Sequence, residues 1–185
     1  MRRLMPFLIS LCLGLSVHAA EGVLGVQRFH AYDPMLASSG QPKRDQFEAI
    51  AAAGYKVVVN VAAVDSNPDA IRDERQLVEK AGMEYYLLPI TWQKPDSGQV
   101  VAAVRLLEGI QGKPALVHCY VNSRASLVAY LLRSTRDGVS DADELQTMVR
   151  IWDQNRGYEF RNSPEWQFVI EDAKKRLKTK SASVQ

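Results

Sequence analysis

The chain has 185 residues, of which 46% are hydrophobic and 24% charged, enough for one domain with a full core. Its 23 Lys and Arg against 21 Asp and Glu leave a formal charge of only +2, which provides no basic field for nucleic acid or an anionic membrane. No glycine-rich phosphate loop or dinucleotide fingerprint is present, so no cofactor is expected.

The first segment reads as a targeting signal. Met1-Arg2-Arg3 is basic, Leu4 to Val17 is apolar, and Val17-His18-Ala19 places small residues where a signal peptidase cuts. The apolar run is short for a bilayer span, and Leu11 before Cys12 argues against a lipid anchor. The expectation is a signal peptide over 1–19 cleaved near Ala19, a periplasmic or secreted mature protein, and no membrane attachment after cleavage. Cleavage removes Arg2 and Arg3, and with them the net charge. It also removes Cys12 and leaves Cys119 as the only thiol. In an exported protein an unpaired cysteine is either a reactive thiol or a buried small hydrophobe. With His30, His118 and Cys119 as the remaining nitrogen and sulfur ligands, no metal site is expected.

Residues 20–34 read as a lead-in that ends in the Asp33-Pro34 turn, 35–178 as one domain, and 179–185 as a flexible tail. Within the domain, Met35 to Ser38 reads as a short strand and Ser39-Gly40-Gln41-Pro42 as a loop. Phe47, Ile50 and Ala51 have helical spacing, closed by Gly54. Lys56 to Ala62 is a β-branched run of the kind covered on both faces of a sheet. Asp65 lies in the turn-rich stretch that follows. Ile71 to Ala81 is an amphipathic helix stopped by Gly82, and Met83 to Ile90 is another apolar strand. A loop with Trp92 and Asp96 leads into a helix marked by Val100, Val104, Leu107 and Ile110. Pro114 to Val117 is the next buried strand, and Ala125 to Leu132 a helix. Two further helices follow, one capped by Ser140 with Asp143 and one starting at Ser163-Pro164. Lys174 to Lys180 reads as a solvated helix end rather than a nucleic-acid patch. This alternation predicts an α/β domain with a mainly parallel central sheet, helices on both faces and a helical C-terminal third. Loops after Val61, Ile90 and His118 should open on one crevice beyond the carboxyl ends of the strands.

The stretch His118-Cys119-Tyr120-Val121-Asn122-Ser123-Arg124 then sits between a buried strand and a helix. A helix N-terminus carries unpaired N–H groups and a positive dipole end, which favour an oxyanion and a thiolate. A thiol and a guanidinium there suit a cysteine nucleophile facing a phosphate-like group.

The signal, Ser39-Gly40-Gln41-Pro42, Val57 to Val61 and the His118-Cys119 loop together resemble the bacterial, exported branch of cysteine-dependent protein tyrosine and dual-specificity phosphatases. The resemblance implies a phosphocysteine intermediate formed at Cys119 and hydrolysed by water. It implies that Arg124 binds two phosphoryl oxygens and that the amides of Tyr120, Val121, Asn122, Ser123 and Arg124 line the anion cradle. It gives supporting roles to His118 and to the Ser126 hydroxyl. The acid that protonates the leaving group would be Asp96, with Asp65 as the alternative. The partner implied is a phosphorylated protein or small phosphomonoester; nothing indicates an oligomeric state.

One departure is visible. The family pattern has five residues between cysteine and arginine, usually with a glycine third; this chain has four, with Asn122 at that place. Aligned without a gap, Ala125 would replace the arginine; with one deletion Arg124 keeps the role, and Asn tolerates the left-handed backbone that the glycine position requires. The shortened loop has the length used by rhodanese-like sulfurtransferases, in which Cys119 would carry a persulfide. A pseudophosphatase that binds an oxyanion or a phosphoprotein without turnover is the third reading.

Overall fold

The computed structural model describes residues 25–62, 70–110, 112–135 and 138–181. The signal segment and Asp65 lie outside the described residues. Among the described residues five strands form one sheet: β1 (His30–Asp33), β2 (Leu36–Ser39), β3 (Val57–Asn60), β4 (Glu84–Leu87) and β5 (Ala115–His118), in the order β1-β2-β5-β3-β4. β2, β5, β3 and β4 run parallel, and β1 pairs antiparallel with β2 at the edge. The fold is thus the mainly parallel α/β domain expected. β1 falls in the stretch read as a lead-in. Its four residues are all half-buried, too short and too evenly exposed to give a strand periodicity. The turn after it is closed by the Asp33 carboxylate, which accepts from the Met35 amide at 2.7 Å.

Among the described residues six α-helices cover the sheet: α1 (Phe47–Ala52), α2 (Glu74–Lys80), α3 (Ser97–Gly109), α4 (Ser123–Ser134), α5 (Asp141–Trp152) and α6 (Pro164–Ser181). Strand residues alternate between the two faces, as the period of two requires. Val57, Val59 and Val117 pack with α3 to α6, while Val58 and Leu116 pack with Phe47 and Ile50 of α1 and Val78 of α2. Gly54 (φ 101°) and Gly82 (φ 81°) end α1 and α2 in the left-handed conformation that glycine adopts without strain. On α5, Ser140 caps the helix by accepting from the Asp143 amide.

Two features place the functional loop. His118 pairs with Ser39 on one side and Asn60 on the other, so the three central strands end level and the chain leaves the middle of the sheet at Cys119. α4 then plunges through the centre of the molecule: its residues Ser123 to Leu132 are all buried. The run Ala125-Ser126-Leu127-Val128-Ala129 has no polar face to give to solvent, which is why the helix is enclosed on every side. Burying each of Leu127, Val128 and Leu131 contributes about 1.5–3 kcal/mol. The loop at its N-terminus is therefore anchored by the best-packed helix of the fold.

Candidate active site

Cys119 follows β5 directly and is 1% exposed. Its amide donates to the Ser39 carbonyl at 3.2 Å, so it is committed to the sheet rather than to the loop. The Tyr120 carbonyl is turned outward to accept from the Gln41 amide at 3.0 Å. This contact explains Gly40: a Cβ there would lie 3.0 Å from the Tyr120 carbonyl oxygen and 3.1 Å from that of Gln27. Only glycine lets the chain leaving β2 run this close to the loop.

Asn122 has the left-handed backbone expected of it (φ 71°) and stands at the N-cap of α4. The helix begins at Ser123, two residues before the sequence-based boundary, so Ser123 and Arg124 form its first turn. Their amides have no partner four residues back within the helix and retain the positive end of its dipole. Among the described residues, no hydrogen bond is made by the Asn122 Oδ1 atom, which is buried.

Arg124 is 5% exposed. Its Nη1 donates to the Ile90 carbonyl at 2.8 Å, and its guanidinium lies over the Trp92 ring, 5.7 Å from the centroid. That fastening holds one corner of the fork. The Nε atom is buried without a partner, a costly state for a cation unless an anion arrives to accept from it. Trp92 is fixed in turn by stacking on Trp152 (5.5 Å, 27°) and by Trp166 at 5.1 Å. Trp152 and Trp166 are buried, and Trp92 also forms a wall of the site.

A cavity of about 310 Å³ opens over the loop. Cys119, Tyr120, Val121, Ser123 and Arg124 form its floor, and Trp92, Gln93, Asn155 and Tyr158 its sides. The structure thus gathers five of the loop residues singled out from sequence. Asn122 faces away from the cavity: its Nδ2 donates to the Arg28 carbonyl at 2.7 Å.

Three other residues stand elsewhere than the resemblance implied. Asp96 is exposed and caps α3, its carboxylate accepting from the Gly98 amide at 2.5 Å; it does not line the cavity. The Ser126 hydroxyl donates to the Ser123 carbonyl at 3.0 Å, in the back-bonded position that a buried helical serine adopts for want of other acceptors. His118 is on the opposite face of β5 from Cys119, with its Nε2 3.4 Å from Glu74 Oε1. The Glu74 carboxylate also accepts from Gln41 Nε2, Asn60 Nδ2 and Tyr85 Oη at 2.6, 2.6 and 2.7 Å. Burial pushes its pKa up, but the neighbouring His118 imidazole and the hydrogen bonds from Tyr85 and Gln41 outweigh this and hold it near 2.

Sequence reasoning missed Arg28, Gln93, Asn155 and Tyr158. Arg28 and Asn155 reach the loop from 93 and 32 residues away, a separation that leaves no local signal. Among the described residues no cluster of His, Cys, Asp or Glu is able to hold a metal ion.

No family model matches the chain. A stretch of 115 residues, 61% of this chain, is 30% identical to the "Beta-lactamase hydrolase-like protein" of two Xylella fastidiosa strains, and it spans only 26% of those proteins' length. Among solved structures the chain is similar to a "Putative phosphatase (DUF442)" from Shewanella putrefaciens CN-32. That pair is 32% identical over 87% of this chain and 98% of that one, with a TM-score of 0.69. Pseudomonas aeruginosa TpbA shares the fold at 20% identity, covering 80% of this chain and 85% of its own, with a TM-score of 0.59; a cysteine-to-serine variant of TpbA has been solved in complex with pTyr. With the enclosed cysteine, the arginine on the first turn of α4 and the parallel sheet behind them, the chain belongs to the cysteine-dependent protein tyrosine and dual-specificity phosphatase-like proteins.

Proposed function

We propose that this protein is a phosphatase that hydrolyses phosphotyrosine or another phosphomonoester through a phosphocysteine at Cys119. One observation carries the reading: the buried Arg124 Nε has no partner among the described residues, and Arg124 forms part of the same cavity floor as Cys119. The Nε–Nη2 edge is the bidentate side of a guanidinium, and fastening Nη1 to Ile90 leaves that edge for two phosphoryl oxygens. In the first step the Cys119 thiolate attacks phosphorus; the S–P bond forms as the P–O bond breaks, and the departing oxygen takes the electron pair and a proton. Water then attacks phosphorus, the S–P bond breaks, and phosphate and the thiolate are released. The helix dipole and first-turn amides of α4 stabilise charge in both steps. The half-buried Trp92 and the exposed ring of Tyr158, in edge contact at 6.3 Å, suit an aromatic leaving group, and the pTyr complex of TpbA supports the same substrate class.

The test is turnover of a small aryl phosphate by wild type and Cys119→Ser, with acid-quenched mass spectrometry to trap the phosphocysteine. Hydrolysis lost in C119S, and a +80 Da adduct on Cys119 in wild type, are expected for roughly any such two-step displacement. The four-residue spacing between Cys119 and Arg124 favours one second reading, sulfur transfer through a Cys119 persulfide; transfer from thiosulfate to cyanide without phosphate release sinks the phosphatase. Inactivity in both assays with retained phosphate binding identifies a binding module. The sequence of residues 1–19 supports export to the periplasm or medium, which cell fractionation with N-terminal sequencing of the mature chain tests.

A further inference from the structure

We infer that Arg28, from the segment ahead of β1, is a positioning residue that shapes the anion cradle by bracing three consecutive loop residues from behind. The inference rests on the oxyanion-binding reading of the Cys119 loop.

Among the described residues, only Arg28 (φ 51°) and Asn122 (φ 71°) have a positive φ without being glycine. They are bonded to each other, Asn122 Nδ2 donating to the Arg28 carbonyl at 2.7 Å. Two strained residues holding one another far apart in sequence is the kind of outlier that marks a functional constraint. The Arg28 side chain completes the brace. Its Nη1 donates to the Val121 carbonyl at 3.0 Å and to Asn155 Oδ1, and its Nη2 to the Gln154 carbonyl at 3.1 Å. Asn155, at the end of α5, donates from Nδ2 to Ser123 Oγ at 2.6 Å and to the Trp152 carbonyl at 3.0 Å. Val121, Asn122 and Ser123 are therefore each tied to the Arg28–Asn155 unit.

The consequence for the cradle follows from peptide geometry. A planar peptide points its carbonyl and its N–H in opposite directions. Holding the Val121 carbonyl outward on Arg28 turns the next amide, that of Asn122, toward the inside of the loop. A loop with four residues between Cys119 and Arg124 and no glycine has few ways to present its amides inward. An external fork that fixes the Val121 carbonyl stands in for the glycine it lacks. The fork needs the planar geometry of arginine, since one ammonium cannot reach Val121, Asn155 and Gln154 at once.

The experiment compares wild type, Arg28→Ala and Arg28→Lys for binding of inorganic phosphate and orthovanadate by calorimetry. Alongside, amide exchange is read over Tyr120 to Ser123 and over α4. The expected result is about tenfold weaker anion binding in R28A, the size of losing charged hydrogen bonds that hold a binding group, with R28K also weakened. Exchange should rise in the loop while α4 stays protected, a pattern that general destabilisation does not give. Wild-type anion binding in R28A overturns the brace and leaves the phosphatase reading standing. R28K that binds as wild type overturns it too, since charge alone then suffices; R28K decides the matter if R28A does not fold. Failure of wild type to bind either anion overturns both the brace and the reading it rests on.

Discussion

Glu74 and His118 meet at 3.4 Å behind the Cys119 loop, the carboxylate 2% exposed and the imidazole fully buried. With Gln41, Asn60 and Tyr85 they form one polar knot that joins α2 to β3, β4, β5 and the loop after β2. Gln41, Asn60 and Tyr85 all donate to this one carboxylate, and His118 packs beside it with neither ring nitrogen hydrogen-bonded among the described residues. A buried acceptor so provided for is stable only while it is ionised.

The pH dependence follows from that. The folded Glu74 has its pKa lowered from the usual 4.5 to about 2, so its contribution is present above the unfolded value and is lost as pH falls from about 4.5 toward 2. The shift corresponds to an upper bound on the order of 3 kcal/mol. Denaturant midpoints measured from pH 7 to pH 2 should drop through that window. Glu74→Gln should lower stability at pH 7 by roughly 2–4 kcal/mol, because its amide offers a donor where donors already point, and should flatten the acid limb. An acid limb unchanged in E74Q assigns the loss to other carboxylates.

Asn122 supports a backbone and a contact at the same time. Asn122→Gly removes the left-handed strain but also the bond to the Arg28 carbonyl, whereas Asn122→Ala loses the bond and keeps a strained φ of 71°. Left-handed backbone costs a non-glycine residue about 1–2 kcal/mol. N122A should therefore melt below N122G, with both below wild type. N122A melting at or above N122G shows that Asn122 is not held in the left-handed conformation.

Local pattern and long-range contact divide what the sequence reveals. The central strands are legible because Val57 to Val61 and Ala115 to His118 are buried on both faces, and the glycines at 54 and 82 mark two helix ends by their positive φ. The Cys119 loop is legible because strand, cysteine, arginine and helix are contiguous. β1 is not, since four half-buried residues carry no period. Neither is the Arg28–Asn155 unit, because its partners are assembled by the fold. Asp96 shows how one pattern supports two readings: Pro95-Asp96-Ser97-Gly98 resembles an acid-bearing loop, yet Asp followed by an apolar helical run is also an N-cap signature. The structure uses it as a cap.

That use predicts the response of Asp96 to substitution. Asp96→Ala removes the acceptor for the Gly98 amide and should cost about 1 kcal/mol, a fall in melting temperature of roughly 2–4 °C for a domain of this size. Asp96→Asn keeps a capping oxygen and should melt within a degree or so of wild type. Its turnover of a phosphate ester with a poor leaving group separates cap from acid: rates equal to wild type fit the cap, and a selective loss with poor leaving groups places Asp96 in the chemistry.

Trp92 links the aromatic cluster to the guanidinium. It stacks on Trp152, packs against Trp166 and lies under Arg124, so one ring holds both the end of α5 and the Arg124 guanidinium. Trp92→Phe retains an aromatic face but loses the larger indole surface and part of the cation–π attraction, worth about 0.5–2 kcal/mol at a desolvated site. Trp92→Ala leaves Arg124 held by Ile90 alone and opens space beside two buried tryptophans, at a cost of roughly 3–5 kcal/mol. Anion affinity should therefore fall in the order wild type, W92F, W92A, measured by phosphate calorimetry at a temperature where all three are folded. The emission of Trp152 and Trp166 should shift to the red in W92A as water reaches them. Affinity equal in all three shows that the Ile90 carbonyl alone orients the guanidinium, and that Trp92 serves packing only.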